Sequence, residues 1–239
     1  MHTQHDHIVK QYDAELDRLT GEIARMGAIA VEQLHAAIDA LEARDDATAH
    51  RIIDQDESLD RLEHEVSHDV VRLLALRQPM ARDLREILAA LRIASDIERI
   101  GDYAANAAKR SLALNAAPAV TAARRLRALS ALAGEMLTEV LVAYRERDDA
   151  AALRVRARDA ELDAMYTSLF RELLTYMAED PRNITSSIHL LFIAKNIERI
   201  GDHATNIAEN VWFVAHGEPP AEPREKRDTT STARAPTAD

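Results

Sequence analysis

Apolar residues recur along the chain in alternating steps of four and three, the spacing that lays one stripe along a helix face. Tyr12, Leu16, Leu19, Ile23, Met26, Ala30, Gln33, Ala37 and Leu41 form the first such row. It predicts a helix over residues 8–44, interrupted by Arg44-Asp45-Asp46. Either aspartate can accept from the exposed N–H groups that open the next helix. A second row, Ile52, Asp56, Leu59, Glu63, Val66, Val70 and Leu73, runs toward Arg77. Gln78-Pro79 stops it, because proline cannot continue a helix and biases its predecessor away from helical geometry. A third helix is predicted from Met80 to Leu114, with Leu84, Leu88, Leu91, Ser95, Glu98, Asp102 and Ala105 in one row.

After Asn115-Ala116-Ala117-Pro118 the same order returns. A fourth helix over 119–146 carries Leu126, Leu129, Ala133, Met136, Val140 and Tyr144. Arg147-Asp148-Asp149 repeats the first corner, a fifth helix runs to Glu179, and Asp180-Pro181 matches Gln78-Pro79. The sixth helix, Arg182 to His216, has Ile184, Ile188, Leu191, Lys195, Glu198, Asp202 and Thr205 in register. Ile97-Glu98-Arg99-Ile100-Gly101-Asp102 is identical to Ile197-Glu198-Arg199-Ile200-Gly201-Asp202, 100 residues later. Ala104, Asn106 and Ala108 pair in the same way with Ala204, Asn206 and Ala208. That period is too long for a solenoid unit and implies two copies of one domain. The expected fold is all-α: six long helices in two tandem three-helix bundles related by a pseudo-twofold. The first bundle takes residues 1–115, the second 116–216. Gly217 is a C-terminal stop. The rest, 217–239, is rich in Pro, Thr and charge without apolar period, and is expected to be a disordered tail.

Composition agrees with long helices. Hydrophobic residues make up 47% of the 239 residues, aromatics only 4% and charged residues 30%, so alanine and leucine carry the core. There is no cysteine, which removes disulfides and thiolate metal sites. The net charge of −11, without a dense basic block, argues against nucleic acid or anionic lipid as partners. No run of ~18 apolar residues marks a transmembrane segment, and the polar start has no signal-peptide apolar region. A cytoplasmic protein is the expectation.

The chemistry lies in the acids. Asp56 and Asp60, Asp159 and Asp163, Glu98 and Asp102, and Glu198 and Asp202 are four pairs at spacing i, i+4. Each pair shares one helix face, with Cβ atoms ~5–6 Å apart, where like charges repel. In an antiparallel hairpin, residues equidistant from the turn stand at one level. Both members of each hairpin lie roughly 20 residues from their turn, to within ~1.5 Å of helical rise. Each bundle therefore gathers four carboxylates at one level, an arrangement that calls for cations. Oxygen-only ligation suits magnesium, manganese, calcium or iron, with zinc also accommodated. The metal residues read from this pattern are Asp56, Asp60, Glu98 and Asp102, and Asp159, Asp163, Glu198 and Asp202.

The neighbours read more plainly. Arg99 and Arg199 are salt-bridge partners on a helix surface. Gly101 and Gly201 cost a helix ~1 kcal/mol against alanine, which close helix approach or room for a ligand would offset. Asn106 and Asn206 could reach the carboxylates; His203 has Tyr103 as its counterpart and makes a poor ligand; His2, His5 and His7 belong to a frayed end. A ferritin-like di-iron centre needs paired Glu-x-x-His motifs. Glu32/His35 and Glu65/His68 differ in level by ~13 Å at helical rise, and have no counterpart in the second half.

These residues resemble the PhoU family, the phosphate transport system regulatory proteins, over residues 8–216. The most specific stretches are Gln78-Pro79-Met80-Ala81-Arg82-Asp83-Leu84-Arg85, the Ile97–Asp102 hexapeptide, and Leu190–Asn196 running into Ile197–Asn206. The resemblance implies two three-helix bundles, a metal-binding acidic cluster in each, and a cytoplasmic, usually dimeric, non-enzymatic regulator. It implies negative control of phosphate uptake and of the phosphate regulon. Its implied partners are the ATPase subunit of the phosphate ABC transporter and the phosphate-sensing histidine kinase, with peripheral membrane association through them. Two other readings of the acids alone are a metal-dependent phosphate-ester hydrolase and a purely structural bundle. No general base, Gly-rich phosphate loop or thiol accompanies the acids, so no residue is assigned as catalytic.

Overall fold

The computed structural model describes residues 2–77, 79–117, 123–224, 226–228 and 230, without the side chains of residues 2–13 and 77. The readings made above for Tyr12, His2, His5, His7, Gln78, Pro118, the helix start at 119 and the chain beyond Thr230 lie outside the described residues. Six α-helices follow in order: α1 (His2–Ala43), α2 (Asp46–Arg77), α3 (Arg82–Asn115), α4 (Arg124–Glu146), α5 (Asp149–Glu179) and α6 (Ile184–His216). They form the two expected three-helix bundles, α1–α3 and α4–α6. The bundles join side by side, α3 against α6 and α1 against α4, around one continuous core. Among the described residues no helix is long and apolar enough to cross a membrane.

The repeated Arg-Asp-Asp corner is one structural device used twice. Arg44 and Arg147 adopt the left-handed conformation, with φ of 55° and 57°. The next N–H reaches back to the helix, Asp45 to the Ala40 carbonyl and Asp148 to the Ala143 carbonyl, both at 2.9 Å. This is the Schellman closure that satisfies orphan carbonyls at a helix end. The same aspartates then open the following helix. The Thr48 N–H donates to Asp45 Oδ1 at 3.1 Å, and the Ala151 N–H to Asp148 Oδ1 at 2.8 Å. In the second hairpin Pro181 begins a 3-10 turn, Pro181–Asn183, capped by Asp180, so α6 begins two residues later than expected. Gly217, at φ 80°, ends α6 with its N–H on the Phe213 carbonyl.

The α1 row from Leu16 to Leu41 is buried throughout, Gln33 included. The rows predicted for α3 and α6 are rotated relative to the structure. Ser95, Ile184 and Ile188 are exposed, and Leu84, Leu88 and Leu91 only half-buried. The buried faces run instead through Ile87, Ala90, Ile93, Ile97, Ile100 and Ala104, and through Leu190, Ile193, Ile197, Ile200 and Ala204. The reason is that each helix packs on two sides: against its own bundle and against the other central helix. The carboxylate row is therefore the flank of the contact surface.

Candidate metal centres

Glycine sets the helix spacing at the acids. An added Cβ at Gly101 would stand 2.4 Å from Leu59 Cδ1, and one at Gly201 would stand 2.1 Å from Leu162 Cδ2. Both leucines are fully buried. Each conserves the same geometry in its own bundle: α2 leans on α3, and α5 on α6, where the glycine removes the side chain. Close approach, rather than space for a ligand, accounts for both glycines.

In the first bundle this brings Asp56 into the field of Asp102, and Glu98 into that of Asp60. Burial pushes the Asp56 and Glu98 carboxyls above the usual carboxylate range, and in both the Asp102 charge adds to the effect. Compensation is partial: the Lys109 charge lowers the Asp56 carboxyl. Arg99 bonds Asp102 at 2.9 Å and lies 3.5 Å from Glu98, but is 58% exposed, so the pairs contribute little. Asp56 and Asp60 have no ion-pair partner among the described residues. At the same level sits Gln33, 3% exposed, with neither amide atom hydrogen-bonded among the described residues. Its Oε1 is 3.3 Å from where a Gly101 Cβ would be.

The second bundle repeats the helices but not the environment. Asp159, Asp163 and Glu198 are 1%, 2% and 4% exposed, whereas Asp56 and Glu98 are half-buried and Asp60 is exposed. Burial pushes Glu198 up to about 7, against the nearby Lys195 ammonium, which lowers it; Lys195 Nζ lies 2.8 Å from Glu198 Oε2 as an ion pair. The other acids meet the chain that follows α6. Arg224 spans two of them: Nε donates to Asp159 Oδ2 at 2.8 Å, and Nη2 bonds both Asp159 Oδ1, at 2.6 Å, and Asp202. Lys226 Nζ is 3.4 Å from Asp202, and the Arg227 N–H donates to Asp163 Oδ2 at 2.8 Å. The segment expected to be disordered thus docks, as far as Thr230, on the second cluster. Charge pairs hold it, and these leave no apolar period in the sequence. The one available signal was Arg224-Glu225-Lys226-Arg227, a basic run in a strongly acidic chain.

The neighbouring polar residues face the junction between bundles. His203 Nδ1 lies 2.7 Å from Asp96 Oδ1, and the Asn206 amide donates to the same oxygen at 3.3 Å. Asn206 is thus directed away from the carboxylate pair, and Asn106 is exposed. Arg199 donates to the Tyr103 hydroxyl at 3.3 Å rather than pairing on its own helix.

The donors suit a hard cation: carboxylates only, crowded by burial and mutual repulsion. Among the described residues no three His, Asp or Glu side chains converge as a ready-made coordination sphere. In the second cluster an arginine already holds two of the carboxylates, Asp159 and Asp202.

A helical hairpin duplicated with its acids and its glycine defines a two-repeat, all-α class of protein. The PhoU domain model matches residues 23–111 and again 126–211, and the chain belongs to the PhoU family. It is 63% identical over 225 residues to the phosphate-specific transport system accessory protein PhoU homolog of Xylella fastidiosa (strain 9a5c), covering 94% of this chain and 95% of that one. The corresponding Rhizobium meliloti protein is 49% identical, over 95% and 97% of the two chains. The crystal structure of PhoU from Pseudomonas aeruginosa superposes with a TM-score of 0.83 at 34% identity, covering 87% of this chain and 100% of that one.

Proposed function

We propose that this chain is a non-enzymatic accessory regulator of phosphate transport whose carboxylate rows take up cations. The carrying observation is 63% identity, across nearly the full length of both chains, to a protein described as a phosphate-specific transport system accessory protein. In this reading it acts in the cytoplasm as a homodimer and damps phosphate uptake when phosphate is plentiful. It does so by contact with the transporter's ATPase subunit and with the phosphate-sensing histidine kinase.

Asp56, Asp60, Glu98 and Asp102 would hold one cation site, and Asp159, Asp163, Glu198 and Asp202 the other. A bound manganese, magnesium, iron or zinc ion supplies positive charge where four carboxylates otherwise repel, and so fixes the spacing of the hairpin. Leu59 and Leu162, wedged against Gly101 and Gly201, transmit that spacing to the core.

A strain lacking the gene, grown in high phosphate, should express its phosphate regulon constitutively, and the wild-type gene should restore repression. A deletion strain that represses normally contradicts the regulator reading.

A further inference from the structure

The two clusters share sequence, helices and glycine wedge, yet among the described residues only the second is covered. The covering segment lies beyond residue 211, where the family match ends. It is held at several points besides the acids. Arg156 donates to the Glu222 carbonyl at 2.8 Å, and Thr167 to the Arg227 carbonyl at 3.5 Å. Asp228 pairs with Lys195 at 3.0 Å and is braced by the Thr230 N–H and hydroxyl. Lys195 therefore bridges Glu198, a cluster acid, to Asp228 of the segment.

Arg224 is 14% exposed and Asp159 2% at their side chains. A bidentate guanidinium occupies both oxygens of a carboxylate and satisfies the charge at once. The oxygens of Asp159 and Asp202 that face Arg224 are the ones a cation would need.

We propose that the segment after α6 is an intramolecular plug. Arg224, helped by Lys226 and the Arg227 amide, fills the position of a cation among Asp159, Asp163 and Asp202, so this cluster admits a divalent ion only as the segment leaves. The inference rests on the cation reading of the clusters. It makes the two halves unequal: the first cluster is open to metal, while the second exchanges metal against its own chain. Binding and release are then coupled reciprocally. A divalent ion detaches the segment, and weakening the segment tightens the ion.

The test uses the full chain and manganese. Bound Mn²⁺ is counted by electron paramagnetic resonance in the wild type, in R224A/K226A, and in Glu98→Ala/Asp102→Ala. Amide hydrogen exchange over residues 218–230 reports the segment separately. The plug predicts a second-cluster affinity that rises roughly 5–150-fold in R224A/K226A. In the wild type, it predicts that Mn²⁺ at concentrations filling the second cluster abolishes the protection of the Arg227 amide. Equal Mn²⁺ binding at the second cluster in wild type and R224A/K226A, with exchange of the segment unchanged by the ion, overturns the plug and leaves the cation reading standing. No Mn²⁺ at either cluster in any of the three proteins overturns both.

Discussion

Leu162→Ala should lower the unfolding free energy by about 2–5 kcal/mol, as for other fully buried leucines. Gly201→Ala should also destabilise. Its new methyl would lie within 2.1 Å of Leu162, and overpacking of that kind costs about 1–3 kcal/mol, less ~1 kcal/mol regained in helix propensity. In the Leu162→Ala background the sign reverses. The obstructing side chain is gone, the methyl fills part of the void, and Gly201→Ala becomes stabilising. Urea unfolding of the four proteins measures the coupling between contacting residues. Equal effects of Gly201→Ala in both backgrounds would mean that the Leu162–Gly201 contact does not set the close approach of α5 to α6. The Leu59 and Gly101 pair should behave in the same way in the first bundle.

Glu198→Gln should stabilise the metal-free protein at pH 8 by about 3 kcal/mol and leave it unchanged at pH 4. The direction follows from the carboxyl, which burial raises from 4.5 to about 7. Between those values the native state holds a proton that the unfolded state has released, so stability falls as pH rises through the window. Above pH 7 the folded protein carries the whole cost of a buried carboxylate. The amide removes that cost, while Asp228 remains to pair with Lys195. Thermal melts in chelator from pH 4 to pH 8 should show the two curves diverging as pH rises. A variant less stable than the wild type at pH 8 would show that the Lys195 ion pair outweighs burial.

Much of this architecture is legible in the apolar spacing. The steps of four and three place α1 and α2 correctly because each has one dominant buried face. They mislead in α3 and α6, which bury two faces, so that a row drawn through Glu98 or Glu198 passes along the flank. Corners are legible for a different reason: Arg-Asp-Asp serves at once as left-handed cap and helix opener, and both copies do so. Level matching of the acids needed only helical rise, and Asp56 and Asp102 do share one environment. Arg224 was not legible. Its docking depends on long-range charge complementarity from a segment without period, and neither propensity nor repetition encodes that. Nor could sequence separate the two reasons for Gly101 and Gly201, since close approach depends on where Leu59 and Leu162 point.

Whether the first cluster holds a cation is decided by metal content and melting temperature measured together. Wild-type protein equilibrated with Mn²⁺ should retain the ion. At a hundredfold excess over Kd the ion adds ~2.7 kcal/mol, a rise of about 5–10 °C for a chain of this size. Chelation should remove that rise, and Glu98→Ala/Asp102→Ala should lose both the first-site ion and most of the chelator effect. Asp102→Asn keeps the shape and removes one charge, so it should bind Mn²⁺ more weakly and melt below the wild type in its presence. An Asp102→Asn protein that melts above the wild type in Mn²⁺, with its bound metal unchanged, would show that the row is a set of repelling surface acids and not a metal centre.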